Sequence, residues 1–330
     1  MKHNRLITLL GSAIGIMILI IDSKTALIGA STGIELCLQA VIPSLFPFFV
    51  LTSVLTSAFM GSSFCFLQPF FRILGVPSGA ESLVLTGFVG GYPVGAQTVA
   101  SAYRDGYLSK ASAERMLAFC NNAGPSFLFG MIGMQFSDRN QVLLLWGIHL
   151  LGAVFAALLL PNQDTTPIKP IKGQRFHISN AVMSSVKVMG VVCGWIVLFR
   201  IVIAFLRRWF LWLLPQPVQV AFTGLLELAN GCCELNQIEN DGLRFVICSG
   251  MLSLGGLCVT MQTVSVTGGL SLKPYFLGKL IQTMFSVITS VFVCLLPASG
   301  FIILALLLFS GAFCLLQIHK KRCIHEKSIV

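Results

Sequence analysis

The sequence predicts an all-α polytopic membrane protein, with about eight transmembrane helices, two re-entrant hairpins and two interrupted helices in an inverted repeat. Three observations carry that reading. Apolar residues make up 55% of the 330-residue chain and charged residues 10%, against roughly 25% charged in a soluble domain. Several apolar runs approach the ~20 residues that a bilayer-spanning helix needs. Two stretches within such runs are rich in helix breakers: Gly87-Phe88-Val89-Gly90-Gly91-Tyr92-Pro93-Val94-Gly95-Ala96-Gln97-Thr98, and Asn121-Asn122-Ala123-Gly124-Pro125-Ser126. Hydrocarbon cannot satisfy a freed backbone amide or carbonyl. Such breaks persist at membrane depth only against protein or around a polar cavity.

The elements follow in order. Lys2, His3 and Arg5 precede an apolar run over 6–21, which reads as an uncleaved first span because no small-x-small cleavage site follows it. Residues 24–40 are mixed and read as an interfacial segment. Residues 41–60 form the second span, and 64–74, short, aromatic and broken at Pro69, an interfacial helix. Residues 81–99 are too interrupted for a plain span. They read as a re-entrant hairpin with Gly90, Gly91, Pro93, Gly95 and Gln97 at its tip. Ser109 is placed to cap a helix that runs to about residue 136 and breaks at Gly124-Pro125. Residues 141–160 cross back.

A second series repeats that order. Residues 179–206 are a long span, and 207–214, with Trp209 and Trp212, an interfacial piece. Residues 217–235 form a second hairpin around Glu227-Leu228-Ala229-Asn230-Gly231. Asn240 or Asp241 caps a helix interrupted at Gly255-Gly256. Residues 274–296 cross, and 301–318 make a last span. Each unit has an odd number of crossings, so the two copies are expected in opposite orientation. The expected divisions are 1–40 (first span and interfacial segment), 41–161 (first repeat), 162–178 (cytoplasmic linker), 179–297 (second repeat) and 298–330 (last span and basic tail).

The net charge of +10 sits in short connections and in the tail His319-Lys320-Lys321-Arg322. That is the pattern of cytoplasmic loops, not of a nucleic-acid surface. Eight crossings place both termini on the cytoplasmic side of a bacterial cytoplasmic membrane; Arg207 and Arg208 are the exceptions, falling outside. The eleven cysteines are scattered, with no CxxC pair. His319, Cys323 and His325 lack a fourth ligand, so no metal and no cofactor is expected. Gly29-Ala30-Ser31-Thr32-Gly33 matches a nucleophile elbow by letters only, with no sheet to carry it. No enzyme activity is expected. The partners are the lipid bilayer and a small polar solute; a homo-oligomer stays open.

The chemistry concentrates at the breaks. Pro125 fits the first position of a half-helix whose positive dipole end faces the gap. Asn121, Asn122 and Ser126 add donors and acceptors there; the alternative is a proline kink with asparagines bonding neighbouring helices. Gly91 and Gly95 are spaced for tight helix packing as well as for a hairpin tip. Gln97 and Thr98 extend the polar reach of that hairpin. Glu227 is a carboxylate in apolar sequence, with Asn230 beside it, and an intramembrane carboxylate is a functional candidate by default. Ser253, Thr260 and Gln262 give the second broken helix a polar side near Gly255 and Gly256. Lys187 and Lys279 lie near predicted span ends and read as snorkelling side chains. His149 reads as a buried, hydrogen-bonded histidine.

Together, the stretch 90–96, Cys120-Asn121-Asn122-Ala123-Gly124-Pro125-Ser126-Phe127, Glu227-Leu228-Ala229-Asn230-Gly231 and Gly255-Gly256 resemble the YlbJ-like sporulation integral membrane proteins, within the nucleoside-recognition (Gate) superfamily. The resemblance covers residues 35–296. That superfamily also holds concentrative nucleoside transporters and the membrane part of the ferrous-iron transporter FeoB. The resemblance implies two hairpins and two interrupted helices around a central site. Hairpin polar residues would hold a solute, nucleoside-like in the carriers, and the interrupted helices would help bind a coupling ion, Na+ or H+. It assigns Gln97, Thr98, Asn122, Ser126, Glu227 and Asn230 to that site. The carriers' full polar hairpin signature, a GTPase domain and an iron-binding cysteine set are absent. The expected function is transmembrane transport of a small polar solute. The alternative is a non-transporting sporulation-associated protein that uses the fold for assembly.

Overall fold

The structure, a computed structural model, describes residues 2–62, 66–161, 168 and 178–296. The expected last span, the basic tail, Pro297 and nearly all of the linker lie outside the described residues.

Among the described residues all regular structure is helical. The first half comprises α1 (Lys2–Ile21), α2 (Ser23–Leu36), a π-turn (Cys37–Val41), α3 (Ile42–Phe59), α4 (Gln68–Ile73), α5 (Glu81–Val89), α6 (Val94–Arg104), α7 (Lys110–Cys120), α8 (Pro125–Gly130) and α9 (Arg139–Leu159). The second comprises α10 (Ile178–Trp209), α11 (Gln216–Leu226), α12 (Leu228–Cys233), α13 (Asp241–Leu254), α14 (Gly256–Val266) and α15 (Lys273–Leu295). Among the described residues, five helical runs are long and apolar enough to cross a membrane: Ser23–Phe59, Arg139–Leu159, Ile178–Trp209, Asp241–Val266 and Lys273–Leu295. The helix over Leu6–Ile21 is apolar but shorter. The chain is a multi-pass membrane protein.

Residues 24–40 do not form a separate element. They belong to one 37-residue helical run from Ser23 to Phe59. Asp22 starts it by accepting from the Thr25 amide. A proline ring clashes with the carbonyl four residues back. For Pro43 that is residue 39, inside the π-turn, where the wider ring of backbone absorbs the clash. The run continues without ending. It packs along α10, and Gly29 and Gly33 lie against the α10 backbone at Ile201 and Val197. Those glycines therefore serve packing.

With that extension the halves share one order: long helix, hairpin (α5–α6; α11–α12), interrupted helix (α7–α8; α13–α14), final span (α9; α15). They pack in equivalent pairs. The two long helices meet, α9 meets α15, α7 lies on α15, and α13 lies on α9. Arg115, buried in α7, ties the end of α9 by donating to Ala157 O at 2.8 Å and Pro161 O at 2.9 Å. Carbonyls at a helix C-terminus have no partner of their own.

Three expected boundaries shift. The first hairpin is interrupted only over Gly90–Pro93, so Gly95 and Gln97 lie inside α6 rather than at the tip. Gly95 and Gly87 face the Cys120 carbonyl, so Gly95 takes the packing role. The second hairpin breaks at Glu227 alone. The helix expected to reach 136 ends at Gly130 and continues as a 3-10 turn over Ile132–Gln135.

Candidate functional site at the helix interruptions

Four interruptions meet in the middle of the bundle. In the first half, Gly91 and Gly124 bring their backbones together: a Cβ on Gly124 would lie 2.9 Å from the Gly91 amide nitrogen. In the second half, Gly256 and Gly231 lie against the Gly224 backbone. The halves are joined through Tyr92, whose hydroxyl donates to Leu252 O at 3.0 Å. That carbonyl has no intrahelical partner, because Gly255 at φ +78° ends α13. A left-handed residue is a routine helix stop and favours glycine.

The interruptions enclose a cavity of about 40 Å³. Gly91 and Tyr92 line it from the first break, Ala123 and Gly124 from the second, and Glu227 and Ala229 from the third. Val259 and Gln262 of α14 line it from beyond the fourth. A water needs roughly 10–15 Å³ of such space. The cavity therefore admits a few waters or a bare ion, not a solute of nucleoside size.

Glu227 is 2% exposed and caps α12. Its carboxylate accepts from Ala229 N at 3.1 Å, Asn230 N at 2.7 Å and Asn230 Nδ2 at 2.5 Å. Asn230 thus orients the carboxylate that forms the cavity wall. Gln262 donates to Cys258 Sγ at 3.3 Å.

Gln97 and Thr98 lie elsewhere, in a groove of about 220 Å³ between α3, α6 and α10. Its walls are hydroxyl-rich, with Ser53, Thr56, Ser101 and Ser184 among them. Gln97 Nε2 donates to Ser184 Oγ at 3.4 Å, and Thr98 Oγ1 to Gly95 O at 3.0 Å. Phe49 and Val188 line the groove, while Leu45 and Val192, one helical turn along, line the cavity. Residues four apart share a helix face. Groove and cavity therefore lie in line, separated by one layer of Phe49, Val94 and Val188.

Asn121 and Asn122 do not open onto the cavity. Asn121 Nδ2 donates to Thr263 Oγ1 at 2.9 Å, and its Oδ1 accepts from Ala96 N at 3.4 Å. Asn122 Nδ2 donates to Phe119 O at 2.6 Å, and its Oδ1 accepts from Gln282 Nε2 at 3.0 Å. Both amides bond helices together, the alternative named above. Ser126 Oγ is buried with no partner and does not line the cavity.

Lys279 is not a snorkelling side chain. It is 2% exposed. Its ε-amine donates to Tyr92 OH and Gln282 Oε1, each at 2.9 Å. Gln282 Nε2 also reaches His149 O at 3.0 Å. His149 is buried and hydrogen-bonded as expected, with Nε2 accepting from the freed Ala123 amide at 3.0 Å. Sequence reasoning missed Lys279 and Gln282. The signal was present: Tyr275, Lys279, Gln282, Ser286 and Thr289 recur at helical spacing on one face of α15, and all are buried. A polar stripe within an apolar span marks the face turned to the bundle interior.

Tyr92→Phe removes the donor to Leu252 O and an acceptor of Lys279. Leaving buried groups unpaired costs about 1–3 kcal/mol. Purified variant and wild type in the same detergent should differ by a few degrees in melting temperature, the variant lower. Equal values would show that the hydroxyl carries no link between the halves.

The chain is 26% identical over 317 aligned residues to the sporulation integral membrane protein YlbJ of Bacillus subtilis (strain 168), covering 81% of this chain and 76% of that one. No family model matches, and no solved structure matches. The apolar spans and this alignment together make the chain an integral membrane protein similar to YlbJ.

Proposed function

We propose that the chain is a carrier that moves a small polar solute across the bilayer, with the halves in opposite orientation and both termini cytoplasmic. The observation that carries this reading is the cavity walled by residues from three interruptions and by α14 beyond the fourth, with a hydroxyl-lined groove in line with it. Irregular backbone around a midplane polar site is the build of many secondary transporters. The groove opens where Met60, Asp105 and the start of α10 meet, the end that loop charge assigns to the cytoplasm. The layer of Phe49, Val94 and Val188 is the gate, and the cavity is small because the gate is closed. The Gate-superfamily resemblance supports the same reading. It offers nucleoside-like solutes as candidates for the opened site, with Na+ or H+ as coupling ion.

Proteoliposomes loaded with a pool of small metabolites and assayed by mass spectrometry test this. Purified wild type should move at least one solute under a Na+ or pH gradient. Ser101→Trp, which fills the groove from a half-buried position, should abolish that flux and leave the melting temperature unchanged. No flux of any solute through wild type would sink the carrier reading. It would favour the assembly role, which the relative's association with sporulation supports.

A further inference from the structure

We propose that Lys279 is where this protein exchanges a proton, and that the exchange changes the hold on the first hairpin through Tyr92. The proposal deepens the carrier reading and rests on it for its link to transport.

The geometry of Lys279 suits two protonation forms. An ammonium has three N–H donors and an amine two. Two acceptors lie at hydrogen-bond distance, Tyr92 OH and Gln282 Oε1. The ion pairs among the described residues do not include Lys279. A buried charge without a partner is strongly disfavoured. Nζ lies beyond the hydroxyl edge of the Tyr92 ring, 4.8 Å from its centre. The two acceptors satisfy the amine fully, and the ammonium keeps the same two bonds with its third N–H unpaired.

The other ionisable groups on the packed elements are engaged elsewhere or lie beyond contact. From α9, His149 is bonded to the Ala123 amide and to Gln282 and lies close enough for the Lys279 charge to act on it, and Arg139 sits at the far N-terminus. From α7, Glu114 accepts from Ser271 N at 2.8 Å and pairs with Lys110 at 3.9 Å. Arg115 on the same helix binds the carbonyls at the end of α9, and Cys120 closes it. From α13, Asp241 pairs with Arg244 at 3.1 Å, and Cys248 is buried in the apolar core. On α15 itself, Lys273 and Tyr275 precede Lys279 on the chain. None of them is within hydrogen-bond or ion-pair distance of Nζ.

Tyr92 makes this local chemistry matter to the whole molecule. Its hydroxyl accepts from Lys279 and donates to the orphan carbonyl of Leu252 in the opposite half. Protonation turns the Lys279–Tyr92 hydrogen bond into a charge-assisted one and so acts on the hydroxyl that joins the two halves. The step is a proton transfer alone: the amine lone pair takes a proton from hydronium where water reaches it, and the ammonium returns it to water on the other face. No electrons are exchanged.

The test uses the full chain in lipid nanodiscs, with 15N-labelled lysine. The resonance that disappears in Lys279→Gln is expected to move between ammonium and amine positions across roughly pH 5 to pH 11, apart from the surface lysines. A Lys279 signal that titrates together with the surface lysines overturns the proposal. In a second arm, Gln97→Cys in the groove is labelled with a membrane-impermeant maleimide, and its labelling is read as the excess over the native cysteines. Its rate, divided by that of a free thiol at the same pH to remove the thiolate fraction, is expected to change severalfold with pH when Lys279 is present, and to be flat beside Lys279→Gln and Lys279→Arg. A pH response that survives both substitutions overturns the link to Tyr92. Solute flux through a protein whose Lys279 does not titrate removes this proposal and keeps the carrier. A titrating Lys279 without flux of any solute removes the carrier and keeps the proton site.

Discussion

Replacing Glu227 with leucine is expected to lower the apparent stability by about 3 kcal/mol or more, the largest loss among single changes near the cavity. The reason is arithmetic on buried donors. The carboxylate is the acceptor for two backbone amides and one side-chain amide, all within 3.1 Å and buried. Capping contributes about 1 kcal/mol in exposed helices and up to 2 in favourable cases. Each buried group left unpaired adds about 1–3 kcal/mol. Leucine keeps the volume and isolates the lost acceptor. Glu227→Gln keeps one acceptor oxygen and should fall between the two. Melting curves of the three proteins in one detergent settle the order. If leucine matches wild type, the carboxylate does not cap α12.

Gly95→Val is expected to be at least as damaging, for steric reasons. A Cβ at position 95 would overlap the Cys120 carbonyl and press on the Gly87 backbone. Flexible side chains can give way; a carbonyl at the end of α7 and a neighbouring glycine cannot, without separating α6 from α7. Overpacking costs typically 1–3 kcal/mol and more where backbone must shift. Because α7 also carries Asn121 and Asn122 to the opposite half, the displacement should spread to the break itself. Gly147→Val is the control, since nothing lies within 4 Å of a Cβ there. Fluorescence-detected size exclusion should give a monodisperse peak for the control and a collapsed or aggregated one for Gly95→Val. Equal peaks would show that α6 and α7 are not in backbone contact.

Much of this was legible in the residues, and the limits have physical causes. Gly90, Gly91, Pro93, Gly124 and Pro125 announce breaks because they act on the local backbone, and local effects are visible in local sequence. The second span was expected to begin at 41, because the π-turn that carries the helix through Cys37–Val41 has no letter of its own. Asn121, Asn122 and Lys279 were placed wrongly for another reason. Whether an amide faces a cavity or a neighbouring helix depends on which helix lies opposite, and α14 and α15 are far away in the chain. Glu227 showed as a buried carboxylate, but its capping geometry depends on a single-residue break that the hydropathy pattern does not register. Gln97 and Thr98 were assigned to the tip because Gly95 looked like a breaker; its role is to admit a neighbouring backbone.

The central claim is that the interruptions of the two halves face one another. Placing p-benzoylphenylalanine at position 92, in nanodiscs, tests it most directly, since its photoreactive carbonyl would lie where the Tyr92 hydroxyl meets Leu252 O and Lys279. Illumination, proteolysis and mass spectrometry should join the peptide containing residue 92 to those containing Leu252 or Lys279. Cross-links confined to lipid or to α5 and α6 would contradict it.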